Sequence, residues 1–142
     1  MKKVLIINGP NLNLLGTRET NIYGEDTLDS IIAEVKENAK KIGVEVEGYQ
    51  SNHEGAIIDK IHSARGEFDG IVINAGAYSH YSIAIHDAIK AVCLPCVEVH
   101  MSNIYAREEY RHKSVISPAC AGVICGLGKQ GYMLAVEALS KF

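Results

Sequence analysis

The sequence has no tryptophan, two phenylalanines and three prolines, and aromatic residues fill only 6% of its 142 positions. Without an indole there is no Trp face for a flavin ring to stack on, and with so little proline there is no Pro-rich spacer. Basic charge is not in excess either, since 14 Lys and Arg stand against 17 Asp and Glu, a formal net charge of −3. A nucleic-acid backbone or an anionic membrane is gripped by a positive field, so neither is an expected partner. Long apolar runs are also missing. After Lys2 and Lys3 the run Val4-Leu5-Ile6-Ile7 stops at Asn8. That is too short for a signal-peptide core and far below the ~20 residues that cross a bilayer. A cytoplasmic protein is the expectation.

Cysteine is scarce as well, with four in the chain. Cys93-Leu94-Pro95-Cys96 has C-x-x-C spacing, and Cys120 and Cys125 invite completion of a metal site. A redox pair sets its first thiol at a helix N-terminus, whereas Cys93 is expected to end a helix and Cys96 to lie in a strand. The second pair lacks zinc-knuckle spacing. Small buried apolar residues are the reading for these cysteines, and no metal is expected.

What the sequence does hold is 47% apolar and 22% charged residues, enough for one domain over 1–142. Apolar runs alternate with helical stripes. Val4 to Ile7 is followed by a stripe of Leu28, Ile31, Ile32, Val35, Ala39 and Ile42, then by Val44 to Tyr49 in alternation. Next come Ile57, Ile58 and Ile61, the strand Gly70 to Ile73, and the stripe Tyr81, Ala84, Ile85, Ala88, Ile89 and Val92. The strand Cys96 to Val99, a short polar helix over Ile104 to Arg111, the strand Gly122 to Cys125 and a helix carrying Met133, Val136 and Leu139 complete the pattern. Ser51-Asn52-His53-Glu54 has capping-box spacing, Ser79 is placed to cap the next helix, and Gly43 is a helix stop. Five strands alternating with helices predict an α/β fold: a flavodoxin-like, doubly wound three-layer sandwich on a five-stranded parallel sheet, with strand order left open.

In such sheets ligands bind beyond the carboxyl ends of the strands. Strand one leads there into Asn8-Gly9-Pro10-Asn11, strand two into Gln50-Ser51-Asn52-His53-Glu54, strand three into Asn74-Ala75-Gly76-Ala77, and strand four into Glu98-Val99-His100-Met101-Ser102-Asn103. Turn and cap chemistry accounts for Gly9, Gly76 and Asn52 but poorly for Glu98 and His100. Those two share one strand face, where the carboxylate can fix the imidazole tautomer or raise its basicity. A general acid and a structural ion pair both fit. The N–H groups of Met101 and Ser102, ahead of a short helix, suit a carboxylate or phosphate, so an anionic ligand is expected.

Between Gly16 and Gly24 runs Thr17-Arg18-Glu19-Thr20-Asn21-Ile22-Tyr23, aperiodic and glycine-flanked. A mobile lid at about 17–24 and an ordinary surface loop both fit. Arg18 beside Tyr23 can favour the phenolate and so make a weak base useful. His80 and Asp87 stand two helical turns apart, on one face of the expected helix. Gly126-Leu127-Gly128-Lys129-Gln130-Gly131 matches a dinucleotide fingerprint, but no further strand and ribose-binding acid follow it, and tight-turn glycines are the reading.

Four segments taken in order, Asn8 to Gly16, Gln50 to Gly55, Asn74 to His80 and Glu98 to Asn103, resemble type II 3-dehydroquinate dehydratase. Arg107-Glu108-Glu109-Tyr110-Arg111-His112 and Gly126 to Tyr132 extend the resemblance over essentially the whole chain. It implies a cofactor-free hydro-lyase of the shikimate pathway for aromatic amino acid biosynthesis, converting 3-dehydroquinate to 3-dehydroshikimate by anti elimination through an enolate. By motif position Tyr23 would be the base, held as phenolate by Arg18. Asn11 would help position a water on the enolate, and His100, oriented by Glu98, would be the acid. Met101 and Ser102 would take the carboxylate through their main chain, and Asn74, His80 and Arg111 would bind hydroxyls. Asp87 would act across a subunit boundary in a homododecamer, a tetramer of trimers. Thr20, Ala75 and Ser79 depart from the family's frequent proline, proline and threonine, and none removes a reacting group.

Two readings of another class compete. A flavin-binding module wants a phosphate loop rich in N–H donors after strand one, where Pro10 stands. A receiver domain needs an acid ending strand three, where Asn74 stands. Among enzymes the rival is Schiff-base dehydration, which needs a lysine, and the four convergent loops have none.

Overall fold

The computed structural model describes residues 1–17 and 26–142. The expected lid, with Arg18 and Tyr23, therefore falls outside the described residues. Five strands, β1 (Lys2–Asn8), β2 (Val44–Gln50), β3 (Gly70–Asn74), β4 (Cys96–His100) and β5 (Gly122–Cys125), form one parallel sheet in the order β2-β1-β3-β4-β5. This is the flavodoxin-like order, and it supplies what the sequence left open. Helices α1 (Leu28–Lys40) and α4 (Gln130–Leu139) cover one face, and α2 (Glu54–Ser63) and α3 (Ile83–Val92) cover the other.

Strand periodicity builds both cores at once. In β1, Val4 and Ile6 pack under α1 and α4 while Leu5 and Ile7 pack under α2 and α3. β3 repeats this with Val72 against Ile71 and Ile73. In β4, Val97 and Val99 take the α1/α4 side, and Cys96 packs on the α2/α3 side. Glu98 and His100 continue the phase of Cys96, so two titratable side chains enter the α2/α3 side of the sheet at its carboxyl edge.

Some local helix signals hold in the fold and others give way to tertiary partners. α1 starts at Thr27, whose Oγ1 accepts from the Ser30 N–H at 3.1 Å, and it ends before Gly43 at φ +76°. Ile42 lies past the helix and is exposed. The capping box at Ser51 does not form: His53 is the cap residue, and Ser51 Oγ accepts from the His53 N–H. Ser82, not Ser79, caps α3, because a 3-10 turn over Gly76–His80 intervenes. His80 therefore precedes α3, and Tyr81 and Ala84 lie off its buried face. In place of a polar helix there are two 3-10 turns, Ile104–Ala106 and Glu109–Arg111. The α4 stripe is led by Tyr132, fully buried, with Met133 only half-buried beside it. Gly126 and Gly128 have positive φ and make the turn into α4, while Gly131 lies against Val99, the structural use expected of that motif.

The exits of β1 and β3 cross at backbone distance. The Gly9 N–H donates to the Asn74 carbonyl at 2.8 Å, and a Cβ on Gly9 would sit 2.4 Å from the Ala75 carbonyl oxygen. Backbone cannot yield as a flexible side chain can. Gly9→Ala is expected to cost at or above the top of the ~1–3 kcal/mol range for overpacking. Thermal unfolding followed by circular dichroism checks this, and an unchanged midpoint would contradict the contact. Among the described residues no helix is long and apolar enough to cross a membrane.

Candidate active site

Register carries the polar residues to one line. Asn8 pairs with Gln50 of β2 on one side and Asn74 of β3 on the other. The loops beyond are laced together through Asn52, whose Oδ1 accepts from the Asn11 N–H at 3.0 Å and from Gln50 Nε2 at 3.1 Å. Asn11 itself has φ +69°, a left-handed conformation that asparagine tolerates better than most side chains.

Behind this edge lies a cavity of about 110 Å³ walled by Asn11, Asn74, His80, His100, Arg107 and Arg111, with Met101 and Ser102 completing the β4 side. A wider cleft of about 280 Å³ between α1 and α4 holds little chemistry, since its Lys129 is paired to Glu34 at 2.9 Å and to Asp26 at 3.5 Å. The sheet edge is where polar groups converge on a concave surface.

Two imidazoles stand in that cavity with ring centroids 6.1 Å apart, stacked at 23°. His80 Nδ1 lies 2.7 Å from the Lys113 carbonyl oxygen, which can only accept, so Nδ1 carries the proton and Nε2 is left for a ligand. His100 Nε2 is hydrogen-bonded to Glu98 Oε2. Glu98 is 0% exposed, and its carboxylate also accepts from Ser114 Oγ at 2.8 Å and from Ser117 Oγ. Burial alone would push this carboxyl up. The hydrogen bonds from His100 and Ser117, the attraction of His100 and the bond from Ser114 outweigh it and hold it below its ordinary value. With Nε2 committed to a buried carboxylate, the other ring nitrogen is the one available for proton transfer.

The neutral groups are fixed with similar care. Asn74 Nδ2 donates to the Tyr132 hydroxyl at 2.9 Å, that hydroxyl donates to Asn8 Oδ1 at 2.6 Å, and Asn74 Oδ1 accepts from the Gly76 N–H at 3.2 Å. Burial pushes the Tyr132 phenol well up, so it stays protonated and serves as a bridge. At the mouth, Arg111 Nε donates to Glu108 at 3.0 Å, and Arg107 Nη1 reaches Ser102 Oγ at 3.4 Å. Bonds from the Tyr110 hydroxyl and then Arg111 draw the Glu108 carboxyl down to about 2.

The family model for class II dehydroquinases matches residues 2–140. The chain belongs to the class II dehydroquinases. It is 61% identical over 142 residues to a 3-dehydroquinate dehydratase from Caldicellulosiruptor bescii, covering 99% of this chain and 98% of that one. A type II dehydroquinase from Butyrivibrio crossotus superposes with a TM-score of 0.96 at 53% identity, covering 98% of this chain and 97% of that one. A second, from Propionibacterium acnes, has the same TM-score at 46% identity, covering 100% of this chain and 98% of that one.

Of the residues expected at the dehydroquinase site, Asn11, Asn74, His80, His100, Met101, Ser102 and Arg111 line the cavity, and Glu98 stands behind His100. Asp87 does not reach it within this chain: it is exposed on α3 and bonded to His86 at 3.0 Å. No α-helix begins after Ser102, only a 3-10 turn capped by Asn103, so an anion there would rely on individual N–H groups rather than on a helix dipole. Sequence reasoning gave no role to Arg107, Ser114, Ser117 or Tyr132. Arg107 and Tyr132 lay in quoted motifs, whereas Ser114 and Ser117 gave no local signal that could have found them.

Proposed function

We propose that this site dehydrates 3-dehydroquinate to 3-dehydroshikimate through an enolate, with acid and base on separate residues. Tyr23, held as phenolate by Arg18, removes the proton on the carbon beside the ketone. The enolate is stabilised by a water that Asn11 helps to position. As the double bond forms, His100 protonates the hydroxyl on the adjoining carbon, which leaves as water, so one proton is taken, one is given and the net loss is H2O. Main-chain N–H groups of Met101 and Ser102 take the substrate carboxylate, and Asn74, His80 and Arg111 bind its hydroxyls. The observation that carries the reading is the buried Glu98–His100 pair opening on a cavity at the sheet's carboxyl edge. Among the described residues no lysine lines that cavity, which disfavours a Schiff-base route.

Lid closure by residues 17–24 would bring Tyr23 over the substrate, within a single catalytic domain spanning 1–142. Assembly into a dodecamer of four trimers would let Asp87 serve a neighbouring subunit's site. Ile83 stands one helical turn from Asp87 and, with Tyr81, is largely exposed, as an association face requires. The cytoplasmic location expected from the sequence belongs to the same reading. The test is the rise of conjugated-enone ultraviolet absorbance when purified, metal-free protein meets 3-dehydroquinate, with activity surviving borohydride in the presence of substrate. A folded protein that gives no rise would refute the reading, and inactivation by borohydride would replace it with the lysine route.

A further inference from the structure

The chain folds back over residues 113–117 to touch His80 and the Glu98 carboxylate that holds His100. Lys113 gives its carbonyl to His80, and Ser114 and Ser117 give their hydroxyls to Glu98. This segment is tied down by further contacts as well. The Val115 N–H donates to the Ser79 carbonyl at 2.8 Å, Ile116 is fully buried, and the Ser117 N–H donates to Ser114 Oγ at 3.3 Å. The Cys120 N–H closes the turn on the Ser117 carbonyl at 2.9 Å.

The distribution of donors over the carboxylate matters more than their number. Oε2 is shared by His100 and Ser114, and Oε1 is held by Ser117. A carboxylate bound through one oxygen can swing about its last bond, and with it the imidazole it orients. A donor on each oxygen fixes its plane. We infer that Ser114 and Ser117 are positioning residues for the acid step, clamping Glu98 in the one orientation that grips Nε2 of His100. The inference rests on His100 being the acid.

The serines touch no reacting atom, so their removal should act on turnover rather than on substrate binding. Ser114→Ala and Ser117→Ala are each expected to lower kcat about tenfold, the size of one hydrogen bond to a charged group, with KM changed less than about twofold. Ser114→Thr and Ser117→Thr keep the hydroxyl and should recover most of the loss. In a His100→Ala background the same serine changes should cost nothing further, because the group they position is gone.

Unchanged kcat in the doubly substituted protein would overturn the clamp. So would losses of equal size with and without His100, or a loss that threonine does not restore. Should the double variant fail to fold, the single variants and their threonine counterparts decide. A His100→Ala enzyme with full turnover would bring down the acid assignment and the clamp with it, whereas a crippled His100→Ala beside indifferent serine variants would remove the clamp alone.

Discussion

His100→Ala is expected to lower kcat by about 10²–10⁴-fold, the usual contribution of a positioned general acid, while KM stays within a few-fold. The leaving hydroxyl departs poorly as hydroxide, and the cavity offers another imidazole, His80, whose Nδ1–H is already given to the Lys113 carbonyl. That ring is stacked beside His100 and does not occupy its position. The proposed substrate contacts at Asn74, Arg111 and the main chain after β4 all line the cavity and remain, which is why binding should survive. Removing the imidazole leaves Glu98 buried with its two serine donors, so the variant carries a partly compensated charge and should fold, with a lowered thermal midpoint. Glu98→Gln is the companion: it keeps a hydrogen-bonding group against the ring but removes the charge that favours the imidazolium, and its kcat should fall between the two. Steady-state kinetics by enone absorbance, with melting curves on the same samples, measure all three. A His100→Ala kcat within about threefold of the parent would show that the pair is structural.

What could be read from the sequence divides along physical lines. Period-2 and period-3.6 patterns reported most of the buried faces, because burial acts along the whole length of a strand or helix. They fixed the alternating architecture and the strands that deliver Asn74, Glu98 and His100. Short-range signals did less well. The capping box at Ser51 and the cap at Ser79 both had the right residue types, but Glu54 is hydrogen-bonded to Ser82 instead, and a 3-10 turn delays α3. Tertiary partners outcompeted local ones. The α4 stripe carried Val136 and Leu139, both buried, but omitted Tyr132, whose hydroxyl bridges Asn8 and Asn74, 124 and 58 positions away. Ser114 and Ser117 lie 16 and 19 positions from Glu98 and were invisible for the same reason. The roles given to Tyr23, Arg18 and Asp87 came from resemblance, since neither an aperiodic loop nor an exposed helix face carries a period to read.

Tyr23→Phe is expected to remove turnover to a similar or greater degree, about 10²–10⁴-fold or more, while leaving ligand binding close to the parent's. The change deletes one oxygen and preserves the ring, so whatever packing the side chain makes is retained and the loss reports the proton acceptor. The cavity formed by the described residues holds histidines, asparagines and arginines but no carboxylate. The nearby carboxylate, Glu98, is already committed to His100 and two serines. Among the described residues no carboxylate lining that cavity is therefore left to accept the proton. Arg18→Ala should mimic the effect only in part: it leaves the phenol in place but removes the cation that stabilises its ionised form, so activity should recover as pH rises toward the ordinary phenol value of ~10. The sign is set by the chemistry, because the active species is the deprotonated one and raising its pKa moves the acidic limb of kcat upward. Titration calorimetry with a non-reacting substrate analogue gives the binding constant, and single-turnover absorbance gives the rate of the chemical step. A Tyr23→Phe enzyme that binds and still turns over rapidly would transfer the base role to another residue, whereas loss of both binding and turnover would make Tyr23 a substrate contact.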